Sequence, residues 1–125
     1  MKLPEAAYYI LKVFAAIDGE IEPQETNQIY TFLANHFYNG SLEQDEVEYL
    51  ENQGDVSGYE AIVRIQQAST CFVLEPLEIR QKLLDFVYEL ICADNKIVPE
   101  ERSLFTDLAE YLFVDADQYN LSICF

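Results

Sequence analysis

Two short acidic segments, 76 residues apart, carry most of the side chains that could do chemistry. The first runs from Asp18 to Glu25 as DGEIEPQE, and the second runs from Asp94 to Glu101 as DNKIVPEE. Asp, Ile, Pro and Glu coincide in the two segments. Carboxylate oxygens are hard ligands that suit Ca²⁺, Mg²⁺ or Mn²⁺ rather than zinc or copper. A divalent-cation site is therefore one hypothesis for this pattern.

The first segment is similar to the second half of an EF-hand calcium loop, but its first half is missing. In that register the two early ligand positions fall on Phe14 and Ala16, and in the second copy on Leu90 and Cys92. One segment alone cannot supply the roughly six to eight oxygens that Ca²⁺ needs. An ion site would have to combine carboxylates of both segments, and the candidates are Asp18, Glu22, Glu25, Asp94 and Glu101.

Helix capping explains the same residues without an ion. Gly19 would supply a left-handed turn, Pro23 the first position of a helix, and Glu25 the third, where a carboxylate accepts backbone N–H groups. The second segment repeats this pattern, although Lys96 stands opposite Glu20 and adds a positive charge. Capping alone and capping with a bound ion both remain open at this point.

The segments interrupt a chain whose apolar residues recur with helical spacing. No stretch alternates with a period of two, so the predicted fold is all-α with about seven helices. The predicted helices comprise an apolar one before Ile17, then 23–38, an acidic surface helix within 42–53, one opening near Ser57, long ones from Pro76 and Pro99, and a short one after Asp115.

The helices flanking the two acidic segments also match each other. Upstream, Ile10 and Phe14 align with Phe86 and Leu90, and downstream Phe37 aligns with Phe113. We expect two helix-loop-helix units related by a pseudo-twofold axis, with one buried helix from each unit crossing at the centre. The units would cover about residues 4–38 and 80–114 of a single domain, 1–125, with the acidic middle section 39–75 between them.

A helix ending in Asp-Gly, followed by Ile-x-x-x-Glu at the start of a second helix and repeated once, resembles the TerB tellurite-resistance family. That superfamily includes the N-terminal domain of some membrane-anchored DnaJ-like co-chaperones. The resemblance implies a seven-helix bundle and a bacterial, cytoplasmic stress-response setting beside a membrane-associated complex. It also implies metal binding by loop carboxylates, here Asp18, Glu22, Glu25, Asp94 and Glu101.

The charge of the chain restricts its partners. Asp and Glu number 23 against 7 Lys and Arg, which gives a net charge of -16. Such a charge repels nucleic-acid phosphates and anionic membrane surfaces. The stretch between Lys12 and Arg64 holds 11 acids and no Lys or Arg. Its acidic helix is either a solvated face or a docking face for a basic protein partner, with candidate residues Glu43, Asp45, Glu46, Glu48 and Glu51.

Other features indicate a non-enzymatic cytoplasmic protein. His36 is the only histidine, and no phosphate-binding loop or nucleophile motif occurs in the sequence. The N-terminal apolar run is too short to span a bilayer and lacks a cleavage pattern. The three cysteines, Cys71, Cys92 and Cys124, form no CxxC pair, so we expect reduced thiols and no zinc site.

Overall fold

The computed structural model describes residues 2–16, 23–38, 40–51, 59–92 and 99–119. Within them the chain forms six α-helices and one short 3₁₀ helix, which confirms the predicted all-α fold. The elements are α1 (Leu3–Ala16), α2 (Pro23–Phe37), α3 (Gln44–Glu51), α4 (Tyr59–Thr70), α5 (Leu77–Cys92), α6 (Pro99–Tyr111) and the 3₁₀ helix (Ala116–Gln118).

Helix α1 lies at the centre of the bundle. Six consecutive residues, Ala6–Leu11, are all buried, and Phe14 is only 2% exposed. A helix buried on every side must be covered by several neighbours, and α1 contacts α2, α4 and α5. The apolar N-terminal run predicted this position.

Helix α5 is the partner of α1 at the centre, but it is amphipathic. Its buried side consists of Leu83, Leu84, Val87, Leu90 and Ile91, whereas Lys82, Asp85 and Glu89 face solvent. The two helices contact each other as the pseudo-twofold arrangement predicts. Of these two central helices only α1 is apolar all round, although both units contribute buried apolar residues to the core.

Aromatic pairs join α2 to its neighbours. Phe32 stacks on Phe86 of α5 with ring centroids 4.4 Å apart, and Tyr8 of α1 stacks on Tyr30 at 5.9 Å. At the end of α2, Phe37 meets the edge of Phe72, which follows α4, at 6.5 Å. Offset and edge-to-face pairs of this kind add to the stabilisation from buried area, and they hold α2 against α1, α5 and the turn after α4.

Helices α2 and α6 end differently. After α2, Gly40 adopts a positive φ of 98° and its N–H donates to the carbonyl of Ala34 at 2.7 Å. After α6, Phe113 has φ 56°, and the N–H of Val114 donates to the carbonyl of Ala109 at 2.9 Å. This is the Schellman arrangement, in which glycine is the usual left-handed residue. A phenylalanine there is strained by about 1–2 kcal/mol.

Arg80 ties the α4–α5 connection to the end of α6. Its Nε donates to the carbonyl of Glu75 at 3.1 Å, and its Nη1 donates to the carbonyl of Leu112 at 2.7 Å. Both carbonyls lie in turns, where no helical N–H group donates a hydrogen bond to them. Together with the Phe37–Phe72 contact, these bonds bring the C-terminal ends of α2, α4 and α6 to the same end of the bundle as the start of α5.

The cysteine prediction is partly wrong. Cys71 is a half-buried thiol outside any disulfide, as expected, but Cys92 at the end of α5 is disulfide-bonded. The prediction used spacing along the chain, whereas a disulfide depends on a Cα separation of about 4.4–6.8 Å in space. Cys124 lies outside the described residues.

In the part of the chain that the structure describes, no helix combines the length and the apolarity needed to cross a bilayer.

Replacing Arg80 tests its structural role. Because Arg80→Ala removes two charge-assisted hydrogen bonds, we expect the free energy of unfolding to fall by about 2–3 kcal/mol, measured by equilibrium urea unfolding. Lys82→Ala is the matched control, since Lys82 forms an exposed ion pair with Glu78 at 3.1 Å within the same helix. That variant should change stability by less than about 1 kcal/mol. Equal losses in the two variants would contradict the assigned role of Arg80.

Candidate functional site

Each of the two acidic segments ends with a glutamate in the first turn of a helix. Pro23 and Pro99 are the first residues of α2 and α6, so Glu25 and Glu101 both occupy the third helical position. The matched spacing in the sequence predicted this placement. Of the other candidate ligands, Asp18, Glu22 and Asp94 lie outside the described residues, and so does the distance between the Asp18 and Asp94 carboxylates.

Glu101 is withdrawn from solvent. It is 4% exposed, and among the described residues the only other buried polar side chain is Ser69. The Ser69 hydroxyl is satisfied locally, because it donates to the carbonyl of Ile65 at 2.7 Å. A buried carboxylate is stable only with hydrogen-bond donors or cations beside it, and Glu101 does take part in an interaction, as does the half-buried Glu25. Capping can provide such partners, and so can a bound cation.

Within the described residues, no three or more His, Cys, Asp or Glu side chains are grouped so that they could hold a metal ion. Three of the five candidate ligands, Asp18, Glu22 and Asp94, lie outside the described residues. The structure therefore places Glu25 and Glu101, two of the five predicted ligands, and does not test the complete set.

A groove between α2 and α5 connects the helix ends next to the two acidic segments. It has a volume of about 580 Å³, with Phe32 and Phe86 at its apolar floor. Gln24 in the first turn of α2 and Leu90 in the last turns of α5 both line it. The start of α2 and the end of α5 therefore lie at the same end of the bundle, as the pseudo-twofold arrangement requires.

The remaining lining of the groove is mostly uncharged and polar, and it comprises Asn27, Gln28, Thr31, Asn35, His36 and Glu89. None of the described residues that line it is a serine or a cysteine. The His36 ring lies 4.4 Å from Phe32, centroid to centroid. The sequence did not predict this groove, because amide side chains on a helix surface carry no characteristic pattern.

Carboxylates at both ends of the acidic helix α3 accept hydrogen bonds that fix the helix in position. Glu46 accepts a hydrogen bond from the N–H of Glu43 at 3.3 Å, which caps the start of the helix. At its other end, Glu51 accepts one from the Tyr30 hydroxyl at 3.0 Å. Burial, Tyr8 and Glu51 together raise the pKa of Tyr30 well above its ordinary value. Part of the acidic face therefore has a structural role.

A tyrosine-walled cavity of about 280 Å³ opens between α3 and the start of α1. Asp45 and Glu46 line it, together with Lys2, Pro4, Glu5, Tyr38 and Tyr49. The Tyr49 hydroxyl donates to Glu5 at 3.0 Å. Burial raises the pKa of Tyr38, and the nearby charges of Glu46 and Glu5 raise it further. The cavity is therefore electronegative and has aromatic walls.

This cavity contains two of the five predicted partner-binding residues. Glu43, Glu48 and Glu51 lie on or next to the same helix and are exposed, but they do not line it. Glu5 and Tyr38 also line the cavity but were not among the predicted partner-binding residues, because they lie in α1 and just after α2, far from α3 in sequence. The abundance of tyrosine around the acidic helix was the available signal.

The fold and the two matched helix starts define a class of protein: a small, acidic α-helical bundle built from two related pairs of helices. The chain belongs to the TerB family, since the family model described as tellurite resistance protein TerB matches residues 5–122. No curated protein and no solved structure matches the chain.

His36 offers a test of the groove's electrostatics. Burial, and then the charge of Lys82, lower the pKa of His36 below its ordinary value of 6.5. Titration by NMR should therefore give a pKa below 6.5, and Lys82→Gln should raise it. The neutral imidazole contributes stability that is complete above about pH 6.5 and is lost as the pH falls through the lower folded-state pKa. A pKa above 6.5 would mean that the negative net charge of the chain outweighs the effects of burial and of Lys82.

Proposed function

We propose that this TerB-family domain binds a hard divalent cation, Ca²⁺, Mg²⁺ or Mn²⁺, through carboxylates of its two matched acidic segments. The observation that carries the proposal is the pair Glu25 and Glu101. The two residues stand at the same position of two related helices, and Glu101 is almost completely withdrawn from solvent. Asp18, Glu22 and Asp94 complete the proposed ligand set.

The chemistry of the chain favours this ion class. The candidate ligands are all carboxylates, which suit hard cations, and the ion would need oxygens from both segments. The net charge of -16 raises the local concentration of cations around the protein. The shared groove supports the two-segment site, because it places the start of α2 beside the end of α5.

The proposed biological setting follows from the family. We infer a non-enzymatic role in a tellurite-resistance or related stress response, in the bacterial cytoplasm and beside a membrane-associated complex. The Cys92 disulfide is unusual for that compartment, where thiols are kept reduced. Alkylation of cell extracts in acid, followed by mass spectrometry of Cys92, would show which state the protein has in cells.

Thermal unfolding with added ions tests the cation proposal. Micromolar Ca²⁺, Mg²⁺ or Mn²⁺ should raise the Tm of the wild-type protein, since an ion at about 100 times its Kd adds about 2.7 kcal/mol to the folded state. Glu101→Gln and the double variant Asp18→Asn, Asp94→Asn should lose this response. Isothermal titration at physiological salt should show the same loss of binding.

A charge-matched variant separates a site from general attraction. Glu43→Gln combined with Glu48→Gln removes two exposed carboxylates outside the proposed site, so its response to ions should equal that of the wild type. If Glu101→Gln lowers the Tm equally with and without ions while the wild type shows no ion response, Glu101 is only a helix cap and the cation proposal is wrong.

The acidic face supports a second candidate function, as an adaptor or co-chaperone-like module that recruits a protein with a basic face. The tyrosine-walled cavity is the specific observation that favours it, because Glu5, Asp45 and Glu46 surround a space large enough for a lysine or arginine side chain. Aromatic walls add cation–π attraction to the charge of the carboxylates. This function does not require the cation site.

Binding of a synthetic lysine-rich peptide tests the adaptor function. The peptide should associate fast and more weakly as salt rises, and Asp45→Asn with Glu5→Gln, two acids that line the cavity, should weaken binding several-fold in fluorescence anisotropy. Glu89→Gln with Glu100→Gln is the control, since it removes the same charge from exposed positions of α5 and α6. Equal effects of the two double variants would show that only net charge attracts the peptide.

A further inference from the structure

An exposed apolar patch lies at the end of the bundle where α5 begins and α6 ends. Its members are Leu74, which is 94% exposed, Phe113, which is 71% exposed, and Leu77, which is 53% exposed. Val73 at 36% borders them. Among the described residues, the only other large apolar side chain that is comparably exposed is Tyr49. We call these four residues, Val73, Leu74, Leu77 and Phe113, the apolar end patch.

The members of the patch come from two elements that Arg80 holds together. Its guanidinium bonds the carbonyl of Glu75, next to Leu74, and the carbonyl of Leu112, next to Phe113. The Arg80 contacts therefore fix the α4–α5 turn against the end of α6. The residues next to Leu74 and Phe113 are therefore held to the same guanidinium, although the two side chains are distant in sequence.

Phe113 contributes unfavourably to the stability of the folded chain in two ways. Its backbone is in the left-handed region, with φ 56°, where glycine is unstrained. Its ring also remains largely in water, so the side chain gains little from folding. A residue that is both strained and exposed is typical of a site used for another purpose than stability. Contiguous exposed apolar side chains are typical of interaction sites.

The surroundings of the patch specify the charge of its partner. Segments 73–82 and 110–117 contain five acids against two basic residues. Both basic residues are engaged within the protein, Arg80 with backbone carbonyls and Lys82 with Glu78. Glu110, Asp115 and Asp117, each within four residues of Phe113, are all exposed. The patch therefore has an apolar centre and an acidic rim.

We propose that the apolar end patch is a docking site for a basic amphipathic helix of a partner protein. Apolar side chains of that helix would cover Leu74, Leu77 and Phe113, and its lysines or arginines would lie over the acidic rim. A second copy of this chain fits poorly, since it would bring two acidic rims together at a net charge of -16 each. An anionic membrane surface is repelled for the same reason.

This docking site is separate from both functions proposed above. The Glu25 and Glu101 helix starts are at the opposite ends of α2 and α6 from Phe37 and Phe113. The tyrosine-walled cavity is formed by α1, α3 and Tyr38, and it shares no residue with the patch. Loss of either proposed function would leave this inference unchanged.

The test uses a synthetic amphipathic peptide of leucine and lysine, about 18 residues long, with a scrambled peptide of the same composition as control. Fluorescence anisotropy should show that the amphipathic peptide binds the intact protein more tightly than the scrambled one. Phe113→Gly and Leu74→Ser should each weaken this binding about tenfold, because each removes a large apolar contact. In NMR spectra, the shifted signals should be those of residues 73–82 and 110–117.

Phe113→Gly keeps the test independent of folding. Glycine relieves the left-handed backbone and removes only an exposed ring, so the Tm should stay the same or rise while binding falls. Gln66→Ser, which removes an exposed uncharged side chain of α4 outside both the patch and the tyrosine-walled cavity, is the control and should leave peptide binding unchanged. The proposal is overturned if the scrambled peptide binds equally well, if Phe113→Gly binds like wild type, or if sedimentation shows a dimer that Phe113→Gly dissociates.

Discussion

The burial of α1 on every side is the constraint on which the rest of the structure depends. A helix with no solvent-facing side has to be enclosed, and α2, α4 and α5 do so. The other helices can then remain amphipathic and strongly acidic on their outer faces, as α5 is at Asp85 and Glu89. Among the described residues Glu101 is the one buried acid, and the others lie exposed or half-buried around an apolar core, where water can solvate their charges.

The helical spacing of apolar residues, together with the prolines, glycines and capping residues at helix boundaries, predicted the architecture. The prolines at 23 and 99, Gly40 and the cap at Asp115 mark boundaries that the structure reproduces. The internal repeat predicted that Glu25 and Glu101 would occupy equivalent helix positions. These successes have a common cause, because helix starts, helix ends and apolar stripes are local properties that spacing along the chain reports directly.

Contacts between distant residues could not be predicted in the same way. The two Arg80 hydrogen bonds depend on backbone carbonyls 37 positions apart. Every residue has such a carbonyl, so residue types do not reveal which ones Arg80 binds. The tyrosine-walled cavity needs α1 and α3 to meet, and the α2–α5 groove is lined by amides with no pattern. Sequence spacing likewise misjudged Cys92. In each case the determining quantity is a distance in space between chain segments, which composition and periodicity do not contain.

The two halves of the chain are related in sequence, but Phe37 and its counterpart Phe113 behave in opposite ways. Phe37 packs against Phe32 and Phe72, while Phe113 points into solvent. A molecule with true twofold symmetry would offer each binding surface twice. Here the symmetry is broken at this end of the bundle, so a partner that recognises Phe113 finds one surface on each chain and one orientation in which to approach it. The expected stoichiometry is one partner to one protein, with a fixed polarity in any larger assembly.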